Sequence, residues 1–300
     1  IEDYDDAIRL DPENSTLYAA RGDAFAELGN FRRAVKEYRV AILLDPENSQ
    51  LVVDRASAFA SIGDVEEALR HISQAIKLDP DNPDLYAQTA AAFGGLGEHR
   101  LAVQHFTKAI ERSPADPILY SDRANAYANS GNYLQAIDDY NSAIMLAPDQ
   151  NELYGDRGIA YSLSGQLERA IQDFNTAIRF TPKDSNLFVL RANTYFLMGQ
   201  TQSAINDYTE AIKLDPSNPQ LFNNRGRIFR DTGKIERAIA DYGVAINLLP
   251  ENPFGYANRA MAHTMLGNDP EAEKDISLAV ELGIDSESLL AAIQAVRSER

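Results

Sequence analysis

The sequence predicts an all-α chain, a solenoid of antiparallel helix hairpins, on three observations. Prolines recur at an interval of 34 residues, at Pro12, Pro46, Pro80, Pro114, Pro148, Pro182, Pro216 and Pro250. Glycines keep the same step at Gly29, Gly63, Gly97, Gly131, Gly165, Gly199, Gly233 and Gly267. Between them the apolar residues are spaced by three, four and seven, as at Tyr154, Gly158 and Tyr161. That spacing makes one face of a helix and not the alternation of a strand. A fixed period in this range marks a repeat architecture, in which length sets the number of repeats and not the thickness of a core.

In chain order, residues 1–14 read as the back half of a repeat. Tyr4, Ala7, Ile8 and Pro12 match Phe174, Ala177, Ile178 and Pro182. Eight full repeats follow, at 15–48, 49–82, 83–116, 117–150, 151–184, 185–218, 219–252 and 253–286. The pairs Asn82-Pro83, Asp116-Pro117, Asn218-Pro219 and Asn252-Pro253 place a capping side chain before a proline suited to a first helical turn. A glycine such as Gly165 ends the first helix, because it takes the left-handed conformation cheaply. The second helix of that repeat is predicted from about Leu167 to Arg179 and is stopped by Pro182, which also forces its predecessor out of helical geometry.

The last repeat departs from the pattern. His263 replaces an aromatic, Glu273 an aliphatic and Ile284 the closing proline. A capping helix over 287–300 is expected to cover the exposed end of the stack, with Leu289, Leu290, Ile293 and Val296 on one face. Arg297, Ser298, Glu299 and Arg300 lie at its end. Ile284 and Leu289 flank the helix start as a hydrophobic staple. The chain opens at Ile1 in mid-repeat, without a methionine, and is expected to belong to a longer one. Its first half-repeat has no cap, so Tyr4, Ala7 and Ile8 could be covered by a second copy in a homo-oligomer.

Composition narrows the function. Against 28 basic residues stand 45 acidic ones, a net charge of −17. Such a chain repels phosphate backbones, which argues against nucleic acid. With no cysteine, disulfides, thiolate metal sites and cysteine nucleophiles are excluded, and no redox compartment is indicated. No apolar run approaches the length of a membrane span.

The succession of aromatic, Gly or Ala, aromatic, Gly, Ala, aromatic, Ala and Pro over 34 residues resembles the tetratricopeptide repeat, across essentially 1–286. The resemblance implies a right-handed superhelix with a concave groove lined mainly by the first helix of each repeat. It also implies an interaction scaffold that holds a peptide or partner domain there. The family's frequent Trp is Tyr or Phe here, and Val52 once. Where the family has Leu, this chain has Arg21, Arg55, Arg123, Arg157, Arg191, Arg225 and Arg259, a variant common in bacterial members. The clamp that some members use for acidic C-termini needs groove lysines, and none is found here.

Those arginines have candidate partners in Glu37, Asp139, Asp173, Asp207, Asp241 and Asp275, since charge near packing faces should be paired. Pairing within a repeat and pairing with the preceding one both fit the spacing. The pattern breaks at Thr89, His71 and His105.

No catalytic constellation is present, and neither a cofactor nor a metal is expected. His71 and His105 hold equivalent places in adjacent repeats but have no repeated carboxylate beside them. Gly94, Gly95 and Gly97 follow no strand, as a phosphate loop would require.

The predicted groove lining changes along the chain. In repeats two to four it is small and polar: Val53, Asp54, Ser57, Ala60, Ala87, Gln88, Ala91, Ser121, Asp122 and Asn125. In repeats five to eight it turns apolar at Ile159, Leu163, Val189, Leu190, Phe196 and Leu197, beside Asn193, Asn223, Asn224, Arg227, Arg230, Asn258, Met261 and Met265. Apolar anchors next to Asn and Arg suit an extended peptide, whose backbone and carboxylates those side chains can bond. The competing reading is that the apolar residues only pack against neighbouring repeats. The sequence therefore predicts a non-catalytic scaffold that binds a protein or peptide with repeats five to eight. The alternative is the substrate-recruiting arm of a larger enzyme.

Overall fold

The computed structural model describes residues 1–298, and among these every regular element is a helix. The chain divides into two compact halves, Ile1–Asp149 and Gln150–Arg300. In the first, α1 (Glu2–Leu10) packs on α2 (Ser15–Glu27), which forms a hairpin with α3 (Phe31–Leu44). Three further hairpins follow: α4 (Ser49–Ile62) with α5 (Val65–Leu78), α6 (Pro83–Gly95) with α7 (His99–Arg112), and α8 (Pro117–Asn129) with α9 (Tyr133–Leu146). Tyr4, Ala7 and Ile8 of α1 are partly buried.

The second half repeats the plan. Helix α10 (Asn151–Leu163) pairs with α11 (Leu167–Phe180), and α12 (Ser185–Leu197) with α13 (Thr201–Leu214). Next come α14 (Pro219–Asp231) with α15 (Ile235–Leu248) and α16 (Pro253–Leu266) with α17 (Asp269–Glu281). A last helix, α18 (Ser286–Ser298), lies on α16. Glu299 and Arg300, expected at its end, lie outside the described residues.

Local chemistry sets the helix boundaries. The side chains of Asn82, Asp116, Asn218 and Asn252 accept from the backbone N–H two residues on, and so satisfy an open donor of the first turn. Asn14, Asn48 and Asp184 do the same without a proline behind them. The period glycines all have positive φ, between 72° and 86°. At Gly165 (φ 81°) the turn closes with the N–H of Gln166 bonded to the Tyr161 carbonyl at 2.8 Å, as in a Schellman end.

A second kind of glycine serves packing. A Cβ on Gly158 would stand 2.7 Å from the Phe174 ring, so the absent side chain lets the two helices of that hairpin close. The core thus alternates small and large: Ala170 and Ala177 are wholly buried on either side of Phe174, as are Ala204 and Ala211 around Tyr208.

The C-terminal end closes as a cap. Leu289 and Ile293 bury against Ala260, Ile276 and Ala279, with Ile284 packed on the same cluster. Asp285 Oδ2 accepts from the Ser288 N–H at 2.8 Å. Leu290 does not share this face and is 48% exposed, because one helical step turns it away from Leu289. Glu273, unusual at its position, accepts from Arg297 at 2.5 Å and ties α17 to the cap.

Candidate interaction face of the first helices

The arginines that might have lined a ligand site are consumed by the fold. Each guanidinium of Arg123, Arg157, Arg191, Arg225 and Arg259 grips the carboxylate sixteen residues on, in the second helix of its own hairpin, through Nε and Nη2 at 2.7–2.8 Å. The third nitrogen reaches back: Arg123 Nη1 to Thr107, Arg191 Nη1 to Asn175, Arg225 Nη1 to Thr209, at 2.5–3.0 Å. Pairing is within the repeat, with a strut to the preceding one. The bonds to Asp139 and Asp207 hold Arg123 and Arg191 above the ordinary arginine value, against the opposing cost of burial.

At the break in the pattern Arg55 faces His71 instead of a carboxylate, and its buried Nε has no partner. Burial, with Arg70 and Arg39 nearby, pushes Arg55 below its usual value. His71 is 2% exposed, stacks on Phe59 and keeps Nδ1 2.8 Å from the Glu67 carbonyl oxygen. His105 stacks on Phe93. Both histidines are core groups. Among the described residues no cluster of three or more His, Asp or Glu could hold a metal ion, and no helix is long and apolar enough to cross a membrane.

In the second half, α10 touches α12 and α14 touches α16, so the first helices adjoin. Leu163, Leu197 and Met265 hold equivalent places in the last turns of α10, α12 and α16 and are 57%, 65% and 40% exposed. In α14 the equivalent residue is Asp231. The other predicted apolar residues sit deeper. Ile159 is partly buried, Val189 and Phe196 pack against the core around Tyr208 and Tyr242, and Met261 packs against the C-terminal cluster. In the first half Val53 is 2% exposed and belongs to the core rather than to a hydrated face.

The polar residues of this face fall into two groups. Asn193 accepts from the Tyr208 hydroxyl at 2.6 Å, with Asn224 on that hydroxyl's other side. Asn258 donates to Asn223 at 2.9 Å, joining α16 to α14. Arg230 binds Asp231 at 2.8 Å and brings Nη1 within 3.8 Å of the Met261 sulfur. Arg227 is exposed and makes no hydrogen bond or ion pair among the described residues. Asn223 and Asn258, with Gln220, Ala245, Leu249 and Phe254, also line a cavity of ≈330 Å³ between α14, α15 and α16. Phe254, 62% exposed, was not singled out from sequence. The signal was there, since the equivalent positions in the two preceding repeats carry Asn186 and Gln220.

Family models described as "Tetratricopeptide repeat" match residues 1–50, 19–83, 53–117, 105–138 and 125–193, and one described as "TPR repeat" matches 192–229. The chain belongs to the tetratricopeptide repeat family. No curated protein matches it in sequence at a significant level. Solved tetratricopeptide repeat structures share its fold at low identity. A tetratricopeptide repeat protein from Parabacteroides merdae aligns at TM-score 0.61 and 19% identity, over 89% of this chain and 98% of its own. The C-terminal part of a repeat-containing protein from Cytophaga hutchinsonii gives 0.64 and 18%, over 73% and 91%. YrrB, described as having an unusual peptide-binding site, gives 0.50 and 20%, over 61% and 94%.

Proposed function

We propose that this tetratricopeptide repeat chain is a non-catalytic scaffold that binds an extended peptide or partner segment on the first helices of repeats five to eight. The observation that carries the reading is the exposed apolar series Leu163, Leu197 and Met265, with Phe254 beside it. Exposed apolar groups gathered on one face usually mark a partner site. The asparagines and Arg227 alongside supply bonds for a peptide backbone and its charged groups. YrrB, of the same fold, carries a peptide-binding site, and a peptide is the ligand proposed here.

A random-peptide selection on the intact chain tests this. Selected peptides are expected to carry an apolar anchor, to bind at about micromolar Kd, and to lose binding on the Leu163→Glu, Leu197→Glu variant. Both leucines are exposed, so that variant should keep the parent's unfolding midpoint. Peptides that bind it as they bind the parent would place the site elsewhere.

A further inference from the structure

The second helices carry a tyrosine at one equivalent position in several repeats, and its hydroxyl normally ends on a residue of the first helix. Tyr38 donates to Asp23 at 2.7 Å, Tyr140 to Asn125 at 2.6 Å and Tyr208 to Asn193 at 2.6 Å. In the seventh repeat the corresponding pair is Tyr242 and Arg227. A guanidinium has five donors and no acceptor. The Tyr242 side chain is wholly buried and its hydroxyl has no hydrogen-bond partner. Asn258, placed as Asn224 is for Tyr208, turns its amide nitrogen to Asn223 instead. A buried donor left open costs stability unless something completes it.

What would complete it is an acceptor, and the local charge selects an anion. Arg227 is exposed and unengaged among the described residues, while Arg230 is held by Asp231. Burial pushes the Tyr242 hydroxyl up to about 12, so it keeps its proton at neutral pH and can donate. We infer that Tyr242 and Arg227 together receive a carboxylate of the bound peptide. One oxygen takes the place that Asn193 Oδ1 holds against Tyr208, and the other faces the Arg227 guanidinium. The inference rests on the peptide-face reading above and adds to it a required chemical group. It also turns a tyrosine that otherwise serves packing into a specificity residue.

The test uses peptides selected on the intact chain. Each is made in three forms: acidic, with Asp and Glu replaced by Asn and Gln, and with an amidated C-terminus. On the parent chain, one neutralisation is expected to weaken binding by about tenfold, and which form loses tells side chain from terminus. Tyr242→Phe should weaken the acidic form by a similar factor and make neutralisation indifferent. Its urea midpoint should not fall, since no bond is lost, whereas Tyr208→Phe should lower it. Arg227→Asn, which offers Tyr242 an acceptor, should raise the midpoint and abolish the preference for acid. If Leu163→Glu, Leu197→Glu abolishes binding but neutralisation costs nothing, or costs as much on Tyr242→Phe as on the parent, the carboxylate inference falls and the peptide face stands. If binding ignores the leucine substitutions, both fall.

Discussion

Arg123 and Asp139 form a two-pronged pair across one hairpin, Nε to Oδ2 and Nη2 to Oδ1, each at 2.7 Å. The remaining guanidinium nitrogen donates to Thr107 of the preceding repeat at 3.0 Å. One side chain therefore fixes both the hairpin and its stacking. Asp139→Ala removes the only counter-charge and leaves the guanidinium mostly buried. A loss of about 3 kcal/mol is expected, read as a lower urea midpoint.

Arg55 makes the opposite prediction. Its place in the series lacks the carboxylate, and Arg39 and Arg70 add like charge. Arg55→Leu removes an uncompensated cation and keeps apolar bulk, so it should leave stability unchanged or raise it by about 1 kcal/mol. A fall like that of Asp139→Ala would show that Arg55 is compensated in solution.

His71 and His105 predict acid sensitivity in the first half. Burial is the main cause that holds both below the ordinary value of 6.5; Arg55 and Arg70 add to it for His71, Lys108 for His105. The unfolded chain takes up these protons near pH 6.5 and the folded chain only lower. The stability they support is thus complete above pH 6.5 and is lost as pH falls through the depressed folded values. Urea midpoints of the parent should drop between pH 7.5 and 5.5, and His71→Gln with His105→Gln should flatten that drop.

Gly165 tests the hairpin turn. With φ at 81° and open space around it, the added methyl of Gly165→Ala meets no clash but must sit in a left-handed backbone. The expected cost is about 1 kcal/mol by chemical denaturation.

The cap is testable at Ile293, 1% exposed in the C-terminal cluster. Ile293→Ala should cost about 3 kcal/mol. Because repeats contact only their neighbours, hydrogen exchange should rise in α16–α18 while α10 and α11 keep their protection.

The sequence by itself determined the helices, their ends and their number, because those depend on local signals. Proline, glycine and capping Asn or Asp act within a few residues, and the spacings of three and four declare the buried face of each helix. It also announced the change of lining in repeats five to eight. Leu163, Leu197 and Arg227 are exposed as the peptide reading requires, while Val189 and Phe196 turn inward because their ends reach the core between hairpins. Only the tertiary structure decided the register of the arginines, since partners sixteen residues ahead and sixteen behind share one periodicity. Only it set Tyr242 apart from Tyr208. In the sequence both are aromatics at the same position; the difference is one acceptor replaced by a donor on the facing helix, and that appears when two helices fold together.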